Sequence, residues 1–244
     1  SNLIFSDIKK INYILKNNEE ISKQIFIKGE FNFIILKKGL KFLNNKKKFL
    51  INIGSHVGTT LIPALKENLF EECVAFEPSK NNFRLLTANI YINKLDEKVR
   101  AYHLALGNKN SSGYLKLFHP TNTADYRVVN RSKNAEKIRI DILDNYTSKM
   151  TKKNSLICID TQGHEPEIFQ GGKKTLSKKI PIIFELDPFL IKKENQLNLF
   201  NSIKHYSQIV DLKDSKVKKM NKETFFKILN KYLSKKSYTD VMVF

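Results

Sequence analysis

Four polar residues, Asn52, Glu77, Asp160 and Glu185, each stand at the end of a short apolar run (residues 49–53, 73–76, 156–159 and 182–184). In an open parallel sheet, reactive groups collect at the carboxyl ends of the strands. Four such ends in register, with a glycine turn after two of them, point to a ligand site. The richest stretch is FLINIGSHVG at 49–58, an apolar run to Gly54, then Ser55, His56, Val57 and Gly58, with helical character from Thr59. Glycines at such a turn let the backbone approach a ligand, and the amides that open the helix offer donors to its oxygens. About twenty residues on, Glu77-Pro78 closes a second run, and a carboxylate there accepts two hydrogen bonds from a ribose diol. These residues imply a nucleoside-containing cofactor across the carboxyl edge of the sheet. A dinucleotide fingerprint needs glycines at 52, 54 and 57. Only Gly54 fits, with Asn52 and Val57 at the other positions, which argues against a nicotinamide dinucleotide.

Other candidates are weaker. His56 is expected to pack or to bond the backbone of its turn. Asp160, His164 and Glu185 lack the compact spacing of a metal site, so no metal is expected. No Ser-His-Asp or Cys-His arrangement is readable, and Cys158 lies inside a predicted strand. Ala105-Leu106-Gly107 forms a loop able to lay small apolar residues beside an adenine ring.

The elements that must position these groups follow from periodicity. Within residues 2–48, Ile4, Ile8, Ile11, Ile14 and Leu15 suit an amphipathic helix, and 24–36 alternates around Lys28-Gly29-Glu30 like a hairpin. This segment, 1–48, is taken as a cap over the cleft, and 49–244 as the main domain. From Phe49 the order is strand, helix (59–68, which Pro63 should distort), strand, helix (80–93, capped by Ser79), strand (99–104). Residues 114–118 and 138–142 read as strands joined by a long polar loop, 120–134, carrying Thr123, Asp125, Tyr126, Arg127 and Arg131. A fourth parallel strand ends at Asp160, Pro166 suits the first turn of the next helix, and a fifth strand ends at Glu185. Helix 190–205, strand 206–212, helix 222–233 and strand 238–244 complete the chain.

The 244 residues suffice for one α/β domain with an extension. With 43 Lys+Arg against 24 Asp+Glu, the net charge is +19. Lysine is spread over every segment, which favours a generally basic surface over a dedicated nucleic-acid face and leaves anionic substrates compatible. Cys73 and Cys158 read as core thiols in one buried sheet, consistent with a reducing cytoplasm. No apolar run reaches the roughly 18 residues of a membrane span, and no signal peptide is visible.

Asn52-Ile53-Gly54-Ser55-His56-Val57-Gly58, Phe76-Glu77-Pro78, Ala105-Leu106-Gly107 and Ile159-Asp160-Thr161-Gln162-Gly163-His164-Glu165 occur in one order. In these motifs, over residues 49–185 and more weakly to the end, the chain resembles the FkbM family of S-adenosylmethionine-dependent methyltransferases. The resemblance implies a class I fold, a doubly wound, mostly parallel Rossmann-like α/β sheet of about seven strands, the last antiparallel, with helices on both faces. It implies S-adenosylmethionine as cofactor, S-adenosylhomocysteine as product, and O-methylation of a hydroxyl on a sugar, glycan or secondary metabolite. Asn52, Gly54, Ser55, Gly58, Glu77, Pro78, Ala105, Leu106 and Asp160 are the expected cofactor contacts; Asp160, His164 and Glu185 are the catalytic candidates, with His164 suited to act as base. The family usually has Asp where this chain has Asn52, so an amide replaces a carboxylate near the cofactor's amino group. Two other readings stay open. One is an RNA-directed methyltransferase or nucleic-acid binder, motivated by the charge; the other is a non-catalytic nucleoside-binding domain, motivated by Asn52.

Overall fold

A computed structural model describes residues 3–8, 10–17, 19–129 and 131–244. The chain opens with β1 (Leu3–Ile8) and β2 (Ile11–Lys16), an antiparallel hairpin where the sequence suggested a helix. The period is two: Ile11, Tyr13 and Leu15 point inward. Side-chain amides of Asn89 and Asn93 complete the outer edge of β2. Each both accepts from and donates to its backbone, at Ile14 (2.6 and 3.2 Å) and Asn12 (3.0 and 2.6 Å). Next come α1 (Glu20–Lys28) and α2 (Phe33–Leu40), in place of the expected hairpin. Gly29, at φ +73, is the left-handed C-cap of α1, so the glycine ends a helix rather than turning a strand.

The wound core then follows the expected order: β3 (Phe49–Ile53), α3 (Leu61–Lys66), β4 (Glu72–Phe76), α4 (Lys80–Ile92) and β5 (Val99–Tyr102). Pro63 falls in the first turn of α3, where a missing N–H costs nothing. Ser79 caps α4, its hydroxyl accepting from the Asn82 amide. Ala105 and Leu106 do not prolong β5; as β6 (Ala105–Leu106) they join a second sheet with β7 (Ser111–Leu117), β8 (Tyr126–Val129) and β9 (Glu136–Asp141), in the order β6-β9-β7-β8. The stretch expected to be a long loop therefore contains a strand. After it come β10 (Ser155–Ile159), α5 (Glu165–Gln170), α6 (Lys173–Ser177), β11 (Ile182–Leu186), α7 (Lys193–Ile203), β12 (Gln208–Asp211), β13 (Lys216–Lys219), α8 (Lys222–Ser234) and β14 (Thr239–Val243).

The main sheet runs β13-β12-β14-β11-β10-β3-β4-β5. Neighbours from β11 to β5 are parallel, and β14 is antiparallel to both β11 and β12. The eighth strand, β13, pairs antiparallel with β12. Helices cover both faces: α5 to α8 pack on Ile51, Ile157, Phe184 and Val241, while the N-terminal hairpin and α1 to α4 pack on Leu50, Cys73, Ile183 and Met242. On that second face Gly39 brings α2 close, since a Cβ there would lie 2.3 Å from Ile183 Cδ1. Among the described residues, no helix is long and apolar enough to cross a membrane.

Candidate functional site

A cleft of about 1000 Å3, counted out to its mouth, opens at the carboxyl ends of β3, β4 and β10 and is roofed by residues 31–35 and 123–128. Its floor begins at the glycine turn. Gly54 has φ +78, and a Cβ there would sit 1.8 Å from the Asp160 carbonyl oxygen, so only glycine lets the β3 and β10 ends come together. The turn amides, expected to face a ligand, are already used. Gly54 and Ser55 N–H donate to Phe76 O (3.0 and 2.9 Å), and His56 N–H donates to Glu77 Oε2 (2.8 Å). Ser55 turns its hydroxyl onto Asn52 O (2.9 Å), and the missing side chain of Gly58 makes room for Ile62, so neither lines the cleft.

What faces the cleft is a set of acceptors. Asn52 is 3% exposed and its Oδ1 has no partner. Glu77, buried beside it, accepts from His56 N–H on one oxygen and from Ser79 N–H (2.9 Å) on the other, leaving each oxygen a lone pair for a ligand hydroxyl. Burial pushes the Glu77 carboxyl up to about 7. Asp160 accepts from Asn32 Nδ2 and Gln162 Nε2, both at 2.9 Å, and burial raises it too. Pro78, Ala105 and Leu106 line the cleft with Leu104, Leu115 and Val128, an apolar wall supplied largely by the second sheet.

His164 also lines the cleft; burial holds it down to about 4, so the ring is neutral, and its Nε2 is buried without a partner. Glu165 faces away and accepts the Thr161 amide (3.0 Å) and hydroxyl (2.8 Å), a structural role at the start of α5. Glu185 lies behind Gln162, which donates to it at 3.3 Å, and does not line the cleft.

Several contributing residues carry no signal in the sequence. Glu19 is buried and accepts from the Thr123 amide (2.9 Å), from the Thr123 hydroxyl and from Ser22 Oγ (3.0 Å). Burial works against its charge, but the hydrogen bond and charge of His56 together with Thr123 outweigh it and hold the carboxyl at about 2. Because the Thr123 hydroxyl gives its proton to Glu19, His56 Nε2 is the donor in its 2.8 Å bond to Thr123 Oγ1. Asn82 Nδ2 donates to Thr123 O (2.9 Å). This clasp ties the N-terminal segment and the 119–125 turn to the glycine turn. Asp240 is a cleft residue from the last strand, visible only once the register Glu185↔Asp240 is known.

The sequence model of the Methyltransferase FkbM domain matches residues 52–238. The chain belongs to the FkbM methyltransferase family. Among solved structures, the FkbM methyltransferase from Methylobacillus flagellatus KT is similar at 13% identity and a TM-score of 0.53, over 85% of this chain and 48% of that one. The chain thus spans about half the length of that relative, and the likeness is one of fold. Weaker likenesses are to Streptococcus pneumoniae Sp1610, described as a putative tRNA (m1A22) methyltransferase (12% identity, 86% of this chain and 68% of that one, TM-score 0.40). M. jannaschii TYW2 in complex with AdoMet is similar at 12% identity over all of this chain and 84% of that one, with a TM-score of 0.45. No curated protein matches the sequence. In fold, this member of the FkbM methyltransferase family is a Rossmann-like α/β protein.

Proposed function

We propose that this chain is an S-adenosylmethionine-dependent methyltransferase acting on a hydroxyl oxygen of a sugar, glycan or secondary metabolite. The observation that carries the reading is the line of acceptors from Glu77 through Asn52 to Asp160 beside an apolar wall. Strands lie ~4.8 Å apart, so Glu77 and Asp160, two strands from each other, are separated by roughly 10 Å. That span suits a ribose diol at Glu77, an ammonium at Asn52 Oδ1 and a reacting centre at Asp160, while the wall of Ala105 and Leu106 takes the adenine. The orphaned Asn52 oxygen fits this cofactor, because an amide oxygen accepts from an ammonium as the family's carboxylate would.

The bound cofactor supplies a methyl group on a sulfonium, an electrophile that needs only an aligned nucleophile. Asp160 orients the acceptor hydroxyl and takes its proton as the oxygen gains the methyl, because burial makes this carboxylate more basic than an exposed one. His164, neutral across physiological pH, offers Nε2 as a second acceptor that fixes the hydroxyl's direction. Glu185 acts through Gln162 and Asp160 rather than on the substrate. Residues 1–48 cap residues 49–244 and exclude water from the cleft, with Asn32 held over Asp160.

A thermal-shift comparison tests the reading. S-adenosylhomocysteine should raise the melting temperature at concentrations where NAD and ATP do not, followed by labelled-methyl incorporation into a carbohydrate hydroxyl. Equal stabilisation by NAD would sink it.

A further inference from the structure

Two buried polar atoms at the start of α5 have no hydrogen-bond partner, and they stand at opposite ends of one pair of side chains. His164 Nε2 is one, on a ring that lines the cleft; Glu167 Oε2 is the other. Between them, His164 Nδ1 lies 3.8 Å from Glu167 Oε2. The helix sets this up: His164 is the N-cap of α5 and Glu167 stands three positions on, a spacing that makes side chains neighbours. Both forgo the local work their positions invite. His164 makes no side-chain cap bond, although it holds the place where Ser, Asp or Asn accepts from the helix amides. Glu167 stands where a capping-box glutamate reaches back to the N-cap amide, yet its Oε1 accepts from Asn195 Nδ2 of α7 (3.0 Å).

A neutral imidazole carries its hydrogen on one nitrogen, and the group that faces Nδ1 decides which. Burial keeps the His164 ring neutral. Burial also raises the Glu167 carboxyl, while its own amide, Asn195 and the charge of Lys192 oppose this and favour the ionised form. An ionised carboxylate only accepts. With hydrogen on Nδ1, the ring directs an N–H dipole at Oε2. With hydrogen on Nε2, the Nδ1 lone pair would instead face the lone pairs of Oε2. Among the described residues, Glu167 is the only carboxylate within ion-pair distance of the His164 ring. The bond from Asn195 keeps that carboxylate in place.

Given the role proposed above for His164, on which this rests, we propose that Glu167 is a positioning residue that fixes His164 as the tautomer with hydrogen on Nδ1, so that the Nε2 lone pair is kept for the acceptor hydroxyl. Glu167 touches neither substrate nor cofactor and takes no proton in the reaction; it acts only through the ring. Asn195 holds Glu167 in turn, so a residue of α7 reaches the cleft through α5.

Nitrogen NMR of the full chain, isotopically labelled in histidine, reads the tautomer without any ligand, and His164→Gln assigns the ring by the signal it removes. In the wild-type chain at pH ~7, Nδ1 should carry the hydrogen. In Glu167→Gln the amide oxygen still accepts from Asn195, but the amide nitrogen faces Nδ1 and donates to it, so the hydrogen should move to Nε2. A mere tie between α5 and α7 would leave the tautomer unmoved. S-adenosylhomocysteine affinity should stay within about twofold, while kcat for the carbohydrate that accepts labelled methyl should fall by about tenfold or more. If E167Q does not melt cooperatively, E167L replaces it and should leave both tautomers populated. A wild-type ring with hydrogen on Nε2, an unchanged tautomer in the variants, or a moved hydrogen with undiminished kcat overturns the proposal. Failure of the wild-type chain to bind S-adenosylhomocysteine, or to label any carbohydrate, instead overturns the reading beneath it.

Discussion

Glu77 holds the glycine turn and α4 to one carboxylate, through His56 N–H and Ser79 N–H, while keeping a lone pair on each oxygen for a ribose diol. Its replacement, Glu77→Ala, should weaken S-adenosylhomocysteine binding by more than tenfold, about 1.4 kcal/mol, as loss of charge-assisted hydrogen bonds implies. Calorimetry showing wild-type affinity would remove it from the site. The buried carboxyls also set a pH dependence. Burial pushes Glu77, Glu165 and Asp240 up to about 7 and raises Asp160 and Glu185, so the folded chain holds more protons than the unfolded one above pH ~4.5. Their stabilisation is complete below the unfolded carboxyl pKa and is lost as pH rises through about 7. His164, held down to about 4, opposes this, its contribution being lost as pH falls below ~6.5. The raised carboxyls outnumber the one histidine. The ligand-free chain should therefore melt higher at pH ~5.5 than at ~8. Asp240 is buried and feels the charges of Asp160, Lys213, Lys38 and Asp211, with Glu185 beside it in register, so Asp240→Asn should narrow that gap by raising the melting temperature at the higher pH. A gap of opposite sign in melts across pH would refute the assignment. At this scale Asn52, Gly54, Glu77 and Asp160 were legible because residue type and position at a strand end coincide. Glu19, Asn32, Thr123 and Asp240 were not, because their roles come from partners 104, 128, 67 and 55 positions away or more.

The elements of the wound core were readable from residue 49 onward because continuous apolar runs alternate with capped helices. Residues 3–40 were misread in a specific way, with hairpin and helices exchanged. Ile4, Ile8 and Ile11 fit a helical period as well as a strand period, and the choice is made by Asn89 and Asn93 of α4, which bond the edge of β2. Lys28-Gly29-Glu30 looks like a hairpin turn, and only the bond from Gly29 N–H to Ile25 O identifies it as a helix end. The clasp of Glu19, Thr123 and His56 joins these N-terminal elements to the cleft roof. Glu19→Ala would strand the Thr123 and Ser22 donors and the His56 ring, so urea denaturation should show a loss of about 3 kcal/mol. S-adenosylhomocysteine should also bind more weakly as the 119–125 turn loosens. An unchanged denaturation midpoint would mean that the clasp contributes nothing to stability.

At the scale of the molecule, a lysine-rich exterior of net charge +19 surrounds an acid-lined cleft. The exterior should attract RNA through its phosphates, and the cleft should not admit it. Gel shifts with duplex or single-stranded RNA should show binding near 50 mM salt that is largely lost by 200 mM, as for a contact made only with phosphates. Competition by S-adenosylhomocysteine, or methyl label in the RNA, would instead support the nucleic-acid reading. The charge was evident from composition; its division between coat and cleft was not, since it depends on β14 bringing Asp240 beside Glu185. That strand lies between β11 and β12, so the sheet is not completed in the order of synthesis. When β12 emerges from the ribosome, its inner neighbour has not yet been made. The side of the cleft that Asp240 lines is accordingly the last part of the pocket to be synthesised.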